Sequence, residues 1–167
     1  MSCIEAWKKE AYGVLVGHKE KDIYTVEHVI PHQEAERDYN WVKPKKRTEK
    51  RIRWFLTYLP HLTTVGEFHS HVGKRHAKKR VIEEEMADTQ LSEEDKIAIQ
   101  KEEISLIVGI SKKLKEVAWG YNRNGTISGT TDEHYVKLAA YYKDKKGKIR
   151  NAELICPFAL GFGVIRR

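Results

Sequence analysis

Residues 63–71 have the sequence TTVGEFHSH, an apolar run that ends in His69 and His71. If this run is a β-strand, its two-residue period turns both imidazoles to the same face. Ser92 lies further along the chain and three carboxylates follow it, a pattern typical of a helix start, with Asp95 in the first turn. Two neutral imidazoles and one carboxylate, with one position left open, form the ligand set of a catalytic zinc ion. Metal-assisted hydrolysis is therefore the leading hypothesis.

The composition indicates a single domain over residues 1–167. The chain is 40% hydrophobic and 33% charged, which suits a globular protein with a core and not a disordered chain. No stretch approaches the roughly 18 continuous apolar residues of a membrane span. The first residues lack the basic and apolar regions of a signal peptide, and Cys3 and Cys156 form no disulfide framework. We therefore expect a cytoplasmic protein without a membrane partner.

The charge of the chain is strongly basic. The net charge is +7 and the estimated pI is 9.3. Seven basic residues lie within 43–53 and five within 74–80. Such a balance favours acidic partners, either nucleic acid or an acidic protein. A solvated surface rich in Lys and Glu explains the same charge, and no base-stacking motif accompanies it, so nucleic acid is a possible partner that is not favoured.

The apolar patterns predict both strands and helices. The runs at 11–17 (AYGVLVG) and 104–110 (ISLIVGI) indicate strands that are buried on both faces. No repeat or linker divides the chain, so the expected fold is one α/β domain with a mixed central β-sheet flanked by helices. The other predicted elements are a helix from Ser2, strands at 23–30, 63–70, 136–142 and 149–155, helices at 52–59 and 92–103, and a hairpin of 117–121 and 126–130 around Asn124-Gly125.

Three motifs occur in a fixed order along the chain. Glu10 comes just before the glycine-bounded run Gly13-Val14-Leu15-Val16-Gly17, residues 66–71 (GEFHSH) follow, and Ser92-x-x-Asp95 comes last. Together they resemble the JAMM (MPN+) metalloprotease signature over about residues 2–123, and this resemblance implies an MPN-like domain. Val72 stands where the family usually has proline, and the gap from His71 to Ser92 is longer than usual. The charged stretch at 72–91 is therefore interpreted as a loop insertion beside the site.

The resemblance implies a mechanism and a substrate class. Zinc would be bound by His69, His71 and Asp95, although the same ligands accept other divalent ions. Glu10 would accept a proton from the attacking water and pass it to the leaving amine. Ser92 would donate a hydrogen bond to the tetrahedral oxyanion. The implied activity is that of an isopeptidase or peptidase that releases a ubiquitin-like protein from its conjugate.

Each assignment has an alternative. Glu10 could simply end the first helix, Ser92 could act only as a helix cap, and the carboxylate of Asp95 could close a capping box. Glu67 shares the strand face of His69 and is a competing ligand. More remote candidates lie in the charged stretch: His76, Glu83, Glu84, Glu85 and Asp88.

A second reading of the whole chain is a non-catalytic binding module on the MPN scaffold. Its basic surface would then bind nucleic acid or another protein. The complete ligand set favours the enzyme, because a scaffold has no need of it. The sequence leaves the oligomeric state open.

Overall fold

The protein is mostly β-structure. The computed structural model describes residues 3, 10–37, 42–43, 45–72 and 87–157. Within them an eight-stranded curled sheet dominates and two helices accompany it. The strands are β1 (Tyr12–Glu20), β2 (Ile23–Pro31), β3 (Glu36–Arg37), β4 (Val42–Lys43), β5 (Thr63–Val72), β6 (Ile104–Lys112), β7 (Gly120–Tyr121), β8 (Ile127–Thr131), β9 (His134–Lys143) and β10 (Ile149–Ala152), and the helices are α1 (Lys46–Leu56) and α2 (Glu93–Ala98).

The strands of the main sheet follow the order β2-β1-β5-β6-β9-β8-β7, and β10 pairs with the second half of β9. Only β5 and β6 pair in parallel among the described strands, so the sheet is mixed. A parallel pair requires a crossover connection, and this connection, from β5 to β6, includes α2. Strands β3 and β4 form a separate two-stranded ribbon.

The predicted α/β class, with an MPN-like central sheet flanked by helices, is wrong. The buried runs do form β1 and β6, but strands cover far more of the described chain than helices do. One face of the sheet is filled by apolar side chains that four of its own strands contribute. Their cluster consists of Leu15, Val65, Phe68, Ile104, Val108, Ile110 and Val136, with Cys3 and Trp119 packed against it. On this face, much of the apolar surface is therefore covered by side chains of the sheet itself.

Helix α1 covers part of the opposite face. Its buried Ile52 packs with Val14 and Val16 of β1 and with Leu62. The helix predicted at 52–59 thus exists, but it begins at Lys46, inside the basic run, and ends at Leu56. In the described part of the chain, no helix has the length and apolar character that crossing a bilayer requires.

The other predicted elements divide into three groups. The strands expected at 23–30, 63–70 and 136–142 coincide with β2, β5 and β9. The helix expected at 92–103 is only six residues long, and the strand expected at 149–155 ends at Ala152. The helix from Ser2, most of the stretch at 72–91 and the end of the chain lie outside the described residues.

His32 is a fully buried histidine that follows β2 and contacts Tyr12 of β1. It is 0% exposed, its backbone N–H donates to the carbonyl of Tyr12 at 2.9 Å, and its ring meets the Tyr12 ring edge-on at 5.1 Å. Burial lowers the pKa of His32 below its usual value of 6.5, and the charge of Glu49 opposes this shift only in part. The folded protein therefore binds fewer protons here than the unfolded chain does below pH 6.5.

This difference predicts a stability that falls with acidification. As the pH drops through 6.5, the unfolded chain takes up the proton first, so the free energy of unfolding decreases by up to about 1.4 kcal/mol per pH unit. Urea unfolding of the wild type and of His32→Gln between pH 5 and pH 8 measures this. The wild type is expected to have the steeper dependence, and His61→Gln, at an exposed position, should retain it. Equal slopes for the wild type and His32→Gln would contradict the prediction.

Candidate metal centre

The two histidines of β5 meet on one face of the sheet. Nε2 of His69 lies 3.2 Å from Nε2 of His71, and the ring centroids are 5.0 Å apart. Their side chains are 8% and 17% exposed, respectively. The two-residue period of the strand thus produces the shared face that the sequence predicts.

Asp95 completes a three-residue cluster. Its Oδ1 lies 3.1 Å from Nε2 of His69, and its Oδ2 lies 3.5 Å from Nε2 of His71. The carboxylate also closes a capping box: the Ser92 N–H donates to Oδ2 at 2.8 Å, and the Asp95 N–H donates to the Ser92 hydroxyl oxygen at 3.1 Å. The two roles that the sequence left as alternatives, capping and facing the histidines, are therefore filled by the same side chain.

The donor atoms of this cluster fit one small metal ion. His69, His71 and Asp95 each offer a ligand atom, and these atoms all lie within 4.8 Å of one another. Two ligands placed about 2.0–2.1 Å from a tetrahedral zinc ion are about 3.3 Å apart. The two Nε2 atoms, 3.2 Å apart, lie close to that value, and each histidine has a different carboxylate oxygen of Asp95 nearby, Oδ1 at 3.1 Å from His69 and Oδ2 at 3.5 Å from His71. The cluster can therefore hold a metal ion.

The charges of the cluster favour the ionised carboxylate. Burial raises the pKa of Asp95, but hydrogen bonds from His69 and His71 outweigh it and hold the pKa far below its usual range. Burial lowers the pKa of His71, yet contact with Asp95 and the charge of Glu10 raise it overall. A metal ion bound here would replace the imidazolium proton, because metal ligands must be deprotonated.

Glu10 lies on the same side of the sheet, two residues before β1. Ser70 fixes this position, since its hydroxyl accepts from the Ala11 N–H at 2.8 Å and its own N–H donates to the Ala11 carbonyl at 2.9 Å. Tyr12 pairs with His69, so continuing the register places Glu10 beside His71. Burial raises the pKa of Glu10, and the charges of His71 and His69 lower it in part. The half-buried carboxyl therefore interacts electrostatically with the cluster.

Glu67 does not join the cluster, although it shares the strand face of His69. Its Oε2 accepts a hydrogen bond from the Tyr12 hydroxyl at 3.0 Å. Asp88, another candidate, uses Oδ1 to accept from the Gln90 N–H at 2.8 Å. The remaining candidates, His76 and Glu83 to Glu85, lie outside the described residues.

Gly109 and Tyr141, which the sequence did not indicate as site residues, hold the segment before α2 in place. Gly109 of β6 pairs with His71, and a Cβ built on it would lie 2.6 Å from the carbonyl oxygen of Ala87. The Tyr141 hydroxyl donates to the Thr89 carbonyl at 2.8 Å. The segment before the helix therefore rests directly on β6. The glycine inside the buried run ISLIVGI was the available signal, because such a glycine often marks a close backbone approach.

Gly109→Ala is expected to displace this segment and with it Asp95. Since the obstructing atom belongs to the backbone, the variant should lose about 1–3 kcal/mol of stability. Its zinc affinity should fall by roughly 10–100-fold, as for the loss of a supporting contact. Zinc titration and urea unfolding measure both effects. Gly120→Ala is the matched control, because a Cβ there meets nothing within 4 Å; equal zinc affinities for the two variants would refute the positioning role.

The chain has a fold similar to that of a solved structure. No protein-family model matches the chain, and no curated protein matches it. The chain is similar to the solution structure of protein DSY2949 from Desulfitobacterium hafniense, a structural genomics target, with a TM-score of 0.53 and 19% sequence identity. The match covers 90% of this chain and 80% of that chain. At this identity the similarity concerns the fold alone.

Proposed function

We propose that the protein is a zinc-dependent peptidase or isopeptidase with a JAMM-type active site. The observation that supports this most is the cluster of His69, His71 and Asp95 with Glu10 beside it on the same sheet face. A structural ion pair needs no further carboxyl group nearby, whereas hydrolysis needs a proton acceptor next to the ligands. The JAMM-like order of these residues in the chain is a second, independent support.

The three cluster residues would hold the metal ion. Zinc in such a site lowers the pKa of water to about 7 and polarises a carbonyl group. The capping box fixes Asp95 from the side of α2, and the β5 backbone fixes both histidines, so the ligands sit on hydrogen-bonded elements. Such support preserves ligand geometry better than a loop does.

Glu10 is proposed as the general base and then the general acid. It takes a proton from the attacking water and returns it to the leaving amine. Its partial burial raises the pKa of the carboxyl, which makes Glu10 a stronger proton acceptor than an exposed glutamate. The backbone bonds between Ala11 and Ser70 fix the position of this side chain relative to β5.

Ser92 is proposed as the oxyanion donor. Its hydroxyl oxygen accepts from the Asp95 N–H, which uses a lone pair and leaves the hydroxyl proton available to donate. The side chain is exposed and lies three residues from a cluster ligand. Capping and oxyanion stabilisation are therefore compatible at this position.

The proposed substrate is an acidic partner: a ubiquitin-like protein joined to a lysine, or a related peptide. The net charge of +7 supports capture of such a partner. The test is hydrolysis of isopeptide-linked and linear ubiquitin-like fusions by protein of measured zinc content. We expect one zinc per chain, cleavage that chelator abolishes, and recovery when zinc is restored. Stoichiometric zinc without cleavage of any fusion or peptide would reject the catalytic proposal.

A further inference from the structure

Helix α1 has a cationic face that the proposed hydrolysis does not use. Among the described residues, a depression of about 430 Å³ on its surface is lined by four cations and one indole. We call this surface the basic groove; its residues are Lys46, Arg47, Lys50, Arg51 and Trp54.

The basic groove faces away from the sheet. At 100° per residue its five side chains occupy the side of α1 opposite Ile52, the buried contact to β1. The four cations are all exposed. Lys46 and Lys50 form one row, and Arg47 and Arg51 form a second. The two residues of each row are four positions apart, which is about 6 Å along the helix axis.

Trp54 adds an aromatic platform to the cations. It is 64% exposed, although a large apolar side chain in a monomeric domain is normally better covered. The Tyr58 ring meets it edge-on, with the centroids 5.1 Å apart and an interplanar angle of 79°. Tyr58 therefore supports the indole without stacking on it in parallel.

We propose that the basic groove binds single-stranded nucleic acid. Guanidinium and ammonium groups in rows suit a chain of phosphates, and an exposed indole suits stacking of a base. This combination of charge with an aromatic platform is the base-stacking element that the sequence alone did not reveal. A lipid surface is less well matched, because an interfacial helix inserts an apolar face into the bilayer, whereas the basic groove has four cations and one indole. The proposal does not depend on the metal centre.

The test measures the affinity of the full chain for fluorescein-labelled oligo-dT and oligo-U of about twelve nucleotides at increasing salt concentration. Four neutralised phosphates predict a slope of log affinity against log salt of about −2.8. Lys50→Ala/Arg51→Ala should halve this slope. Trp54→Ala should weaken binding by roughly tenfold at fixed salt, and Trp54→Phe should restore most of it.

Lys145→Ala/Lys146→Ala is the matched control. It removes the same net charge from an exposed turn elsewhere and should leave the slope unchanged. The groove substitutions replace outward-facing side chains, so unchanged urea unfolding is expected to accompany them. Equal loss in both double variants, or an unaffected Trp54→Ala, would overturn the proposal. Binding of poly-glutamate or of anionic phospholipid vesicles through the same residues, without oligonucleotide binding, would overturn it as well.

Discussion

Glu10→Gln is expected to lower the turnover of an isopeptide-linked ubiquitin-like substrate by roughly 10²–10⁴-fold. Glutamine keeps the size of the side chain but cannot accept the proton of the attacking water. The cluster of His69, His71 and Asp95 does not include this residue, so the variant should bind zinc as the wild type does. Steady-state kinetics and zinc titration on the same preparation measure the two effects separately.

Glu20→Gln is the control for this substitution. Glu20 is exposed at the end of β1, and its replacement by glutamine is the same chemical change. Its kinetics should equal those of the wild type. Unchanged turnover in Glu10→Gln would remove Glu10 from the mechanism, and lost zinc binding would reassign it as a metal ligand.

Asp95→Asn is expected to remove zinc binding while retaining the helix cap. The amide oxygen can still accept from the Ser92 N–H, so the capping box loses little. The negative charge next to both histidines disappears, however, and we expect zinc affinity to fall by more than the roughly 100-fold known for supporting residues. His71→Ala should have the same effect. Zinc titration followed by thermal unfolding with and without zinc provides the measurement.

Two outcomes distinguish the roles of Asp95. If the side chain is a ligand, zinc stabilises the wild type and not Asp95→Asn, because only binding to the folded state raises stability. If Asp95 is only a cap, both proteins respond to zinc equally. His61→Ala, at an exposed histidine outside the cluster, should behave as the wild type.

Local patterns predicted the local features of the site. The alternation along β5 places His69 and His71 on one face, and Ser92 caps a helix as its sequence context indicates. The hairpin at Asn124-Gly125 also forms, and Gly125 has a φ of 78°. These features depend on neighbours in the chain, so a short window of sequence contains the information.

The fold class depended on information that no short window contains. A strand buried on both faces has the same sequence whether helices or a curled sheet cover it. The end of α2 is a similar case. Ile99 leaves the helical conformation with a ψ of 118° and is buried, and Glu102 adopts a φ of 66°. Tertiary burial of Ile99 thus overrides the favourable helical sequence up to Glu103.

The meeting of Asp95 with the histidines was a hypothesis from the strand and helix-start patterns together with the JAMM resemblance, and no local pattern determines it. Its physical basis is the contact of residues 87 and 88 with β6, where Gly109 admits the backbone of Ala87. Nothing in the charged stretch before Ser92 predicts that contact. The start of α1 was missed for a related reason, because Lys46 to Glu49 contain no apolar residue to mark a helix.

We propose that His69, His71 and Asp95 bind one divalent cation. Anomalous diffraction at the zinc edge, on crystals of the full chain grown with zinc, tests it most directly. We predict a single strong peak about 2 Å from Nε2 of both histidines and from a carboxylate oxygen of Asp95. A peak held by other residues, or zinc-free density in which the three side chains bond only to one another, would rule out this metal site.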